Sequence, residues 1–181
     1  MSKITFINTM RILILFILTI IIFRQNIYSE EAQNFQFEKV SHLDNLPNNE
    51  ILSLYQDSDG FIWLATTGGL YQFDGYDLTE YRSNVYNFNL LTHNRITCLK
   101  EDEQKNLYIG TNEGLNILNK KTGHIKKSNH PQFSRNYIAS ITQTAEGEIW
   151  VGTNNGLYNY CLEKDSCHKI LDKTIKGMLV D

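Results

Sequence analysis

From residue 51 the chain is cut into short apolar runs separated by polar, glycine-bearing clusters. "ILSLYQD" is followed by Ser58-Asp59-Gly60, "FIWLAT" by Thr67-Gly68-Gly69, and "LYQF" by Asp74-Gly75-Tyr76-Asp77, and "LTEYR" closes the set. Runs of this kind bounded by Gly, Asp and Asn read as strands joined by tight turns, with Asp capping backbone amides and glycine supplying positive φ. The second run is apolar nearly throughout, as expected of a strand covered on both faces, and the fourth is polar enough to be an outer strand. The predicted unit is a four-stranded antiparallel meander.

The unit recurs. "WLATTGGL" (63–70), "YIGTNEGL" (108–115) and "WVGTNNGL" (150–157) share a Thr-x-x-Gly-Leu core. The core residues are Thr66, Gly69 and Leu70, then Thr111, Gly114 and Leu115, then Thr153, Gly156 and Leu157. Trp63, Tyr108 and Trp150 open the cores; Ile51, Ile96 and Ile138 precede them at one fixed offset, and Asn49, Asn94 and Asn136 at another. "IKGMLVD" (175–181) overlays "ILSLYQD", so a fourth repeat is predicted to begin there. The repeats run over about 44–88, 89–132 and 133–172, with the fourth starting at 173. A period of roughly 40–50 residues with four strands per repeat is the pattern of propeller blades. The expected fold class is all-β: about three blades and one further strand, an incomplete ring, after an N-terminal hydrophobic helix. The bulky Trp63, Tyr108 and Trp150 should wedge between blades, and the small Ala65, Gly110 and Gly152 should allow close approach.

The phrase resembles the two-component regulator propeller repeat: Asn-x-Ile, then Asp-x-x-Gly with an aromatic and Gly-Thr-x-x-Gly-Leu, then an aromatic and Asp. Repeat one supplies Asn49, Ile51, Asp57, Gly60, Trp63, Thr66, Gly69, Leu70, Phe73 and Asp74. Repeat three supplies Asn136, Ile138, Gly147, Trp150, Gly152, Thr153, Gly156, Leu157 and Tyr160. Repeat two departs, with Tyr108 for Trp and Asn106 read at the turn-glycine position, where Asn tolerates left-handed φ. The resemblance implies the periplasmic sensor part of a hybrid two-component histidine kinase. It implies many blades, a membrane helix and a cytoplasmic output module, and a response to glycan fragments. It also implies a homodimer in the full-length protein. Against that pattern the chain reads as truncated, and residues 30–181 alone are expected to be poorly soluble or partly ordered.

The first 29 residues lie outside this pattern. Lys3 and Arg11 precede the apolar run Ile12–Phe23, whose helix would be about 18 Å long at ~1.5 Å per residue, short of a ~30 Å hydrocarbon core. That reads as a signal peptide cleaved after Ser29, with Arg24 leaving an uncleaved membrane anchor open. The expected location is exported, on the periplasmic side of the inner membrane. The whole chain carries 17 basic and 20 acidic residues, and Lys3, Arg11 and Arg24 are in the leader, so the remainder is more acidic still. That disfavours nucleic acid as a partner.

No catalytic constellation stands out, and no metal or cofactor is expected. His42, His93, His124, His130 and His168 show no ligand spacing and read as loop histidines. Asp57, Asp59, Asp74 and Asp77 read as turn caps rather than as a calcium loop or an acid–base pair. "KKTGHIKK" (120–127) reads as a solvated basic hairpin tip. Tyr81, Tyr86, Phe88 and His93, in the long connection 81–94, either pack that connection onto a blade or line a sugar site by stacking. Cys161 and Cys167 flank a hairpin loop and are candidates for a local disulfide, and Cys98 reads as a small buried hydrophobe. Three functions remain: a sensor input segment binding a small molecule or oligosaccharide, a piece of an exported propeller enzyme acting on polysaccharide, or a scaffold without ligand.

Overall fold

The structure, a computed structural model, describes residues 14–18, 46, 50–83 and 90–178. The chain divides into residues 1–39 and 40–181. In the first unit, residues 14–18 form one exposed helical turn. The remainder of the leader, its cleavage point at Ser29, and His42, Asn49, Tyr86 and Phe88 lie outside the described residues. No helix among the described residues is long and apolar enough to cross a membrane.

Among the described residues the second unit holds twelve strands in three sheets. The first sheet is β1 (Ile51–Gln56), β2 (Ile62–Thr66), β3 (Leu70–Phe73) and β4 (Leu78–Tyr81). The second is β5 (Ile96–Glu101), β6 (Asn106–Thr111), β7 (Gly114–Asn119) and β8 (His124–Lys127). The third is β9 (Ile138–Gln143), β10 (Ile149–Thr153), β11 (Gly156–Cys161) and β12 (Ser166–Leu171). Each is an antiparallel meander in sequence order, as the turn spacing predicts. Every first strand carries a register shift near its start, at Ile51/Ser53, Ile96/Cys98 and opposite Gly152/Thr153. A bulge there bends the strand.

The sheets stack face to face, and two apolar layers fill the gaps. Trp63, Ala65 and Leu70 of the first sheet meet Leu99, Leu107 and Ile109 of the second. Tyr108, Leu115 and Ile117 of the second meet Ile141, Ile149 and Val151 of the third. Leu107 and Ile109 therefore face one neighbour while Tyr108 faces the other, which is why β6 is apolar on both faces. Leu99 and Ile141 are 8% and 7% exposed, whereas Leu54, in the same register of β1, is 63% exposed.

The small residues act as predicted. A Cβ added at Gly110 would stand 2.9 Å from Ile138 Cγ2, and one at Gly152 would stand 2.5 Å from Ile175 Cγ2. Ile175 thus occupies on the third sheet the place that Ile138 occupies on the second.

Three local expectations change. Positive φ at the β5–β6 turn belongs to Lys105 (φ 69°), not Asn106. Lys105 stands three residues before Tyr108, as Gly60 and Gly147 stand before the tryptophans, and both glycines have positive φ. Asn106 begins strand β6. At the β2–β3 turn neither Gly68 nor Gly69 has positive φ, although Gly114 (131°) and Gly156 (145°) do. The small size of Gly69 serves a close approach instead: a Cβ there would lie 3.2 Å from the Tyr81 carbonyl oxygen. Finally, Cys161 pairs across the hairpin with Ser166, and Cys167 with Tyr160. The one-residue offset turns the two thiols to opposite faces, so both are free.

Candidate functional site: the grooves between sheets

The Thr-x-x-Gly-Leu cores build the turns at one end of each sheet. The Thr66 hydroxyl donates to the Gly69 carbonyl at 2.8 Å and accepts the Gly68 and Gly69 amides, both at 3.1 Å. Thr111 donates to Gly114 at 2.9 Å and Thr153 to Gly156 at 3.1 Å, each also accepting an amide from within its turn. The three threonines are fully buried, as are Leu70 and Leu115, and Leu157 is half-buried. These motif residues are structural: each hydroxyl satisfies backbone groups that the turn leaves unpaired.

Chemistry gathers at the other end, where the aspartate turns of one sheet meet the following sheet. Asp57 Oδ1 accepts the amides of Asp59 (2.9 Å) and Phe61 (3.0 Å), the turn role its sequence position predicts. Its Oδ2 accepts Trp63 Nε1 at 2.8 Å and Lys120 Nζ at 2.6 Å. Lys120 also reaches Asp59 Oδ2 and Glu101 Oε1, both at 2.7 Å. The Lys120 side chain is 7% exposed, and those of Asp57 and Glu101 are 0% and 4% exposed. Glu101 in turn accepts the Ser58 amide at 2.7 Å and its hydroxyl at 3.0 Å. One buried ammonium therefore ties the first sheet to the second.

This corrects the reading of 120–127 as a solvated tip. Lys121 and Lys126 are exposed, but Lys120 is the centre of an ion cluster. Lys120 follows directly on strand β7, at the position where the third sheet has Leu162. A lysine aligned with a leucine was the one signal in the sequence.

The charges respond to one another. Burial pushes the Asp57 carboxyl up, but hydrogen bonds from Lys120 and Trp63 more than offset it and hold the group below its ordinary value. Hydrogen bonds from Lys105 and Lys120 lower Asp59 to about 2. Burial would lower the Lys120 ammonium, yet its three carboxylate partners raise it.

Beside this cluster lies a groove of about 310 Å3 lined by Phe61, Trp63, Gln72 and Tyr81 of the first sheet and by Lys105 and Lys121 of the second. Tyr81 packs on Trp63 with ring centroids 5.5 Å apart. Tyr81, at the end of β4, thus packs on its own sheet and also forms part of the groove wall. The equivalent groove between the second and third sheets is about 560 Å3 and is lined by Asp102, Gln104, Asn106, Tyr108, Asn159 and Leu162, among others.

The four described histidines do not converge. His93 accepts the Arg95 amide at 2.9 Å within its own loop, and His130 lies 3.3 Å from Cys167. Burial, followed by the Asp165 charge, raises the Cys167 thiol, so this pair is no activated nucleophile. Asp74 caps the amides of Tyr76 and Asp77, which lowers its carboxyl. Among the described residues no group of three His, Cys, Asp or Glu gathers to hold a metal ion.

Comparison with known proteins agrees with this architecture. The family model "Two component regulator propeller" matches residues 45–68, 90–113 and 132–155. A 70-residue stretch, 38% of the chain, is 33% identical to Histidine kinase P4 of Formosa agariphila and covers 5% of that protein. Two extracellular domains from B. thetaiotaomicron, each described as belonging to a hybrid two component system, superpose with TM-scores of 0.63 and 0.61 at 26% and 28% identity. These matches cover 75% and 69% of this chain but only 19% of each domain. A virginiamycin B lyase from Staphylococcus aureus, 13% identical, matches with a TM-score of 0.55 over 75% of this chain and 44% of the lyase. At that identity the likeness shows the fold alone. The three sheets are propeller blades, and three segments of the chain carry the two-component regulator propeller repeat.

Proposed function

We propose that this chain is part of the ligand-sensing input of a two-component signal-transduction protein, exported to the periplasmic side of the inner membrane and responding to glycan fragments. The observation that carries the reading is the joint likeness, in repeat sequence and in fold, to extracellular domains of hybrid two component systems. The output module is expected in a histidine kinase region of the kind that names the Formosa relative. Ligand bound between blades would bias a conformational equilibrium that this region reads. The grooves fit such a role, since they join neighbouring blades with polar and aromatic side chains around a concave space. A homodimer of the full-length protein is part of the proposal.

The test is transcriptional. Deleting the segment encoding residues 50–178 from the native gene should abolish induction of polysaccharide-utilisation genes when cells are fed the cognate glycan. Unchanged induction would sink the reading. Release of product from polysaccharide by the purified chain would point to an enzyme instead.

A further inference from the structure

The two interblade grooves are copies of one design, and one of them lacks the central ammonium. Asp57, Asp59, Glu101 and Lys120 surround the first junction. At the second junction the same repeat positions hold Asp102, Gln104, Gln143 and Leu162. Three of the four charges are gone, and only the aspartate is kept.

Asp102 is 7% exposed. Its carboxylate accepts the amides of Gln104 at 2.9 Å and Asn106 at 2.8 Å, and Asn106 Nδ2 at 2.9 Å. Asn106 Nδ2 thus replaces the indole N–H that Trp63 gives to Asp57, because Tyr108 stands at the aromatic position. A carboxylate has about four acceptor positions. Asp57 fills four, the fourth with the Lys120 ammonium, whereas Asp102 takes three N–H donors and faces the neutral Tyr108 hydroxyl, and among the described residues no cation pairs with it. The Lys126 ammonium is spent nearby on the Leu162 carbonyl at 3.4 Å. A buried carboxylate without a counter-charge is costly. Here it borders a groove of about 560 Å3, larger than the one Lys120 helps to fill. Glu148 and Glu163 also line that groove, and Asn159 adds a neutral amide.

We propose that the groove between the second and third blades binds a small polar molecule carrying a primary ammonium group, of the amino-sugar kind, whose ammonium sits on Asp102 where Lys120 sits on Asp57. Hydroxyl groups of the ligand meet the amides of Asn106, Gln104 and Asn159. The inference rests on the ligand-binding part of the proposed function and on none of its signalling part.

Glucosamine is the probe and glucose the control, titrated calorimetrically into the full chain in mildly acidic buffer. Glucosamine should bind about tenfold or more tightly than glucose, since one charge-paired contact is worth at least that. Leu162→Lys builds the Lys120 arrangement into this groove. It should weaken glucosamine binding by about tenfold or more while raising the melting temperature, which also shows that the variant folds. Asp102→Asn should weaken binding too, but it also alters a turn cap, so Leu162→Lys decides. Equal binding of the two sugars, or glucosamine binding that Leu162→Lys leaves unchanged, overturns the proposal. Intact glucosamine binding without transcriptional induction in cells would sink the sensing reading and leave this site standing.

Discussion

Replacing Lys120 with Leu would give the first junction the residue that the second has at Leu162. The ammonium lies 2.6 to 2.7 Å from three carboxylates. At an effective dielectric constant of ~20, each such contact carries an attraction of about 6 kcal/mol before solvation is counted. Most of that is offset by the desolvation of the buried ions, and water screens the share of Asp59, whose side chain is 41% exposed. What remains after the lysine is removed is the cost of leaving Asp57 and Glu101 buried without a cation, about 3–5 kcal/mol. With a slope of roughly 2 kcal/mol per molar urea, the unfolding midpoint should fall by about 1.5–2.5 M. A second substitution sharpens the test. Glu101→Gln reproduces Gln143, so Lys120→Leu/Glu101→Gln leaves Asp57 with three N–H donors, as Asp102 has naturally. The double variant should regain about 2 kcal/mol over the single one, a coupling typical of groups in contact. The assay is urea unfolding of parent, single and double variants followed by tryptophan fluorescence, with Trp63 beside the cluster. A loss below ~1 kcal/mol for Lys120→Leu, the range of exposed pairs, would refute the argument, as would a double variant no more stable than the single one.

Acid should loosen the same junction. Asp57 and Asp59 have lowered pKa values in the folded chain, so their stabilisation is present above the ordinary carboxylate range and is lost as pH falls through the folded values, about 2 for Asp59. Lys120 is raised, so its contribution is complete below the ordinary lysine range and fades as pH rises beyond it. A plateau of melting temperature between about pH 4 and 10 is expected, and a steep decline within that window would contradict it. Gly110→Ala should cost about 2–3 kcal/mol, because the new Cβ meets Cys98 and Ile138 between two blades; a neutral effect in thermal melts would show that the blades can separate freely. Thr111→Val should cost about 1–3 kcal/mol by leaving the Gly114 carbonyl and Glu113 amide without their partner, measured by urea unfolding against Thr111→Ser as the rescue.

The sequence by itself determined the repeat and what each repeat must be. Apolar runs between Asp-Gly and Thr-x-x-Gly turns leave few structures other than four-stranded meanders, since turn chemistry and side-chain alternation act over a few residues. The alignment of Ala65, Gly110 and Gly152 with one another, next to Trp63, Tyr108 and Trp150, also announced which strand each neighbour approaches. Even the threonine bonds lie within four residues of chain. Tertiary structure alone decided what faces what across a junction. Lys120 and Asp57 are 63 positions apart, and nothing local in "NKKTG" distinguishes the first lysine, which is buried, from the second, which is exposed. The same holds for Leu54 and Leu99, one exposed and one buried in identical register. The positive φ at the second aspartate turn, by contrast, follows the repeat alignment, since Lys105 holds the offset of Gly60 and Gly147. Burial and ion pairing depend on the surface brought against a side chain, and in a stack of blades that surface belongs to another repeat.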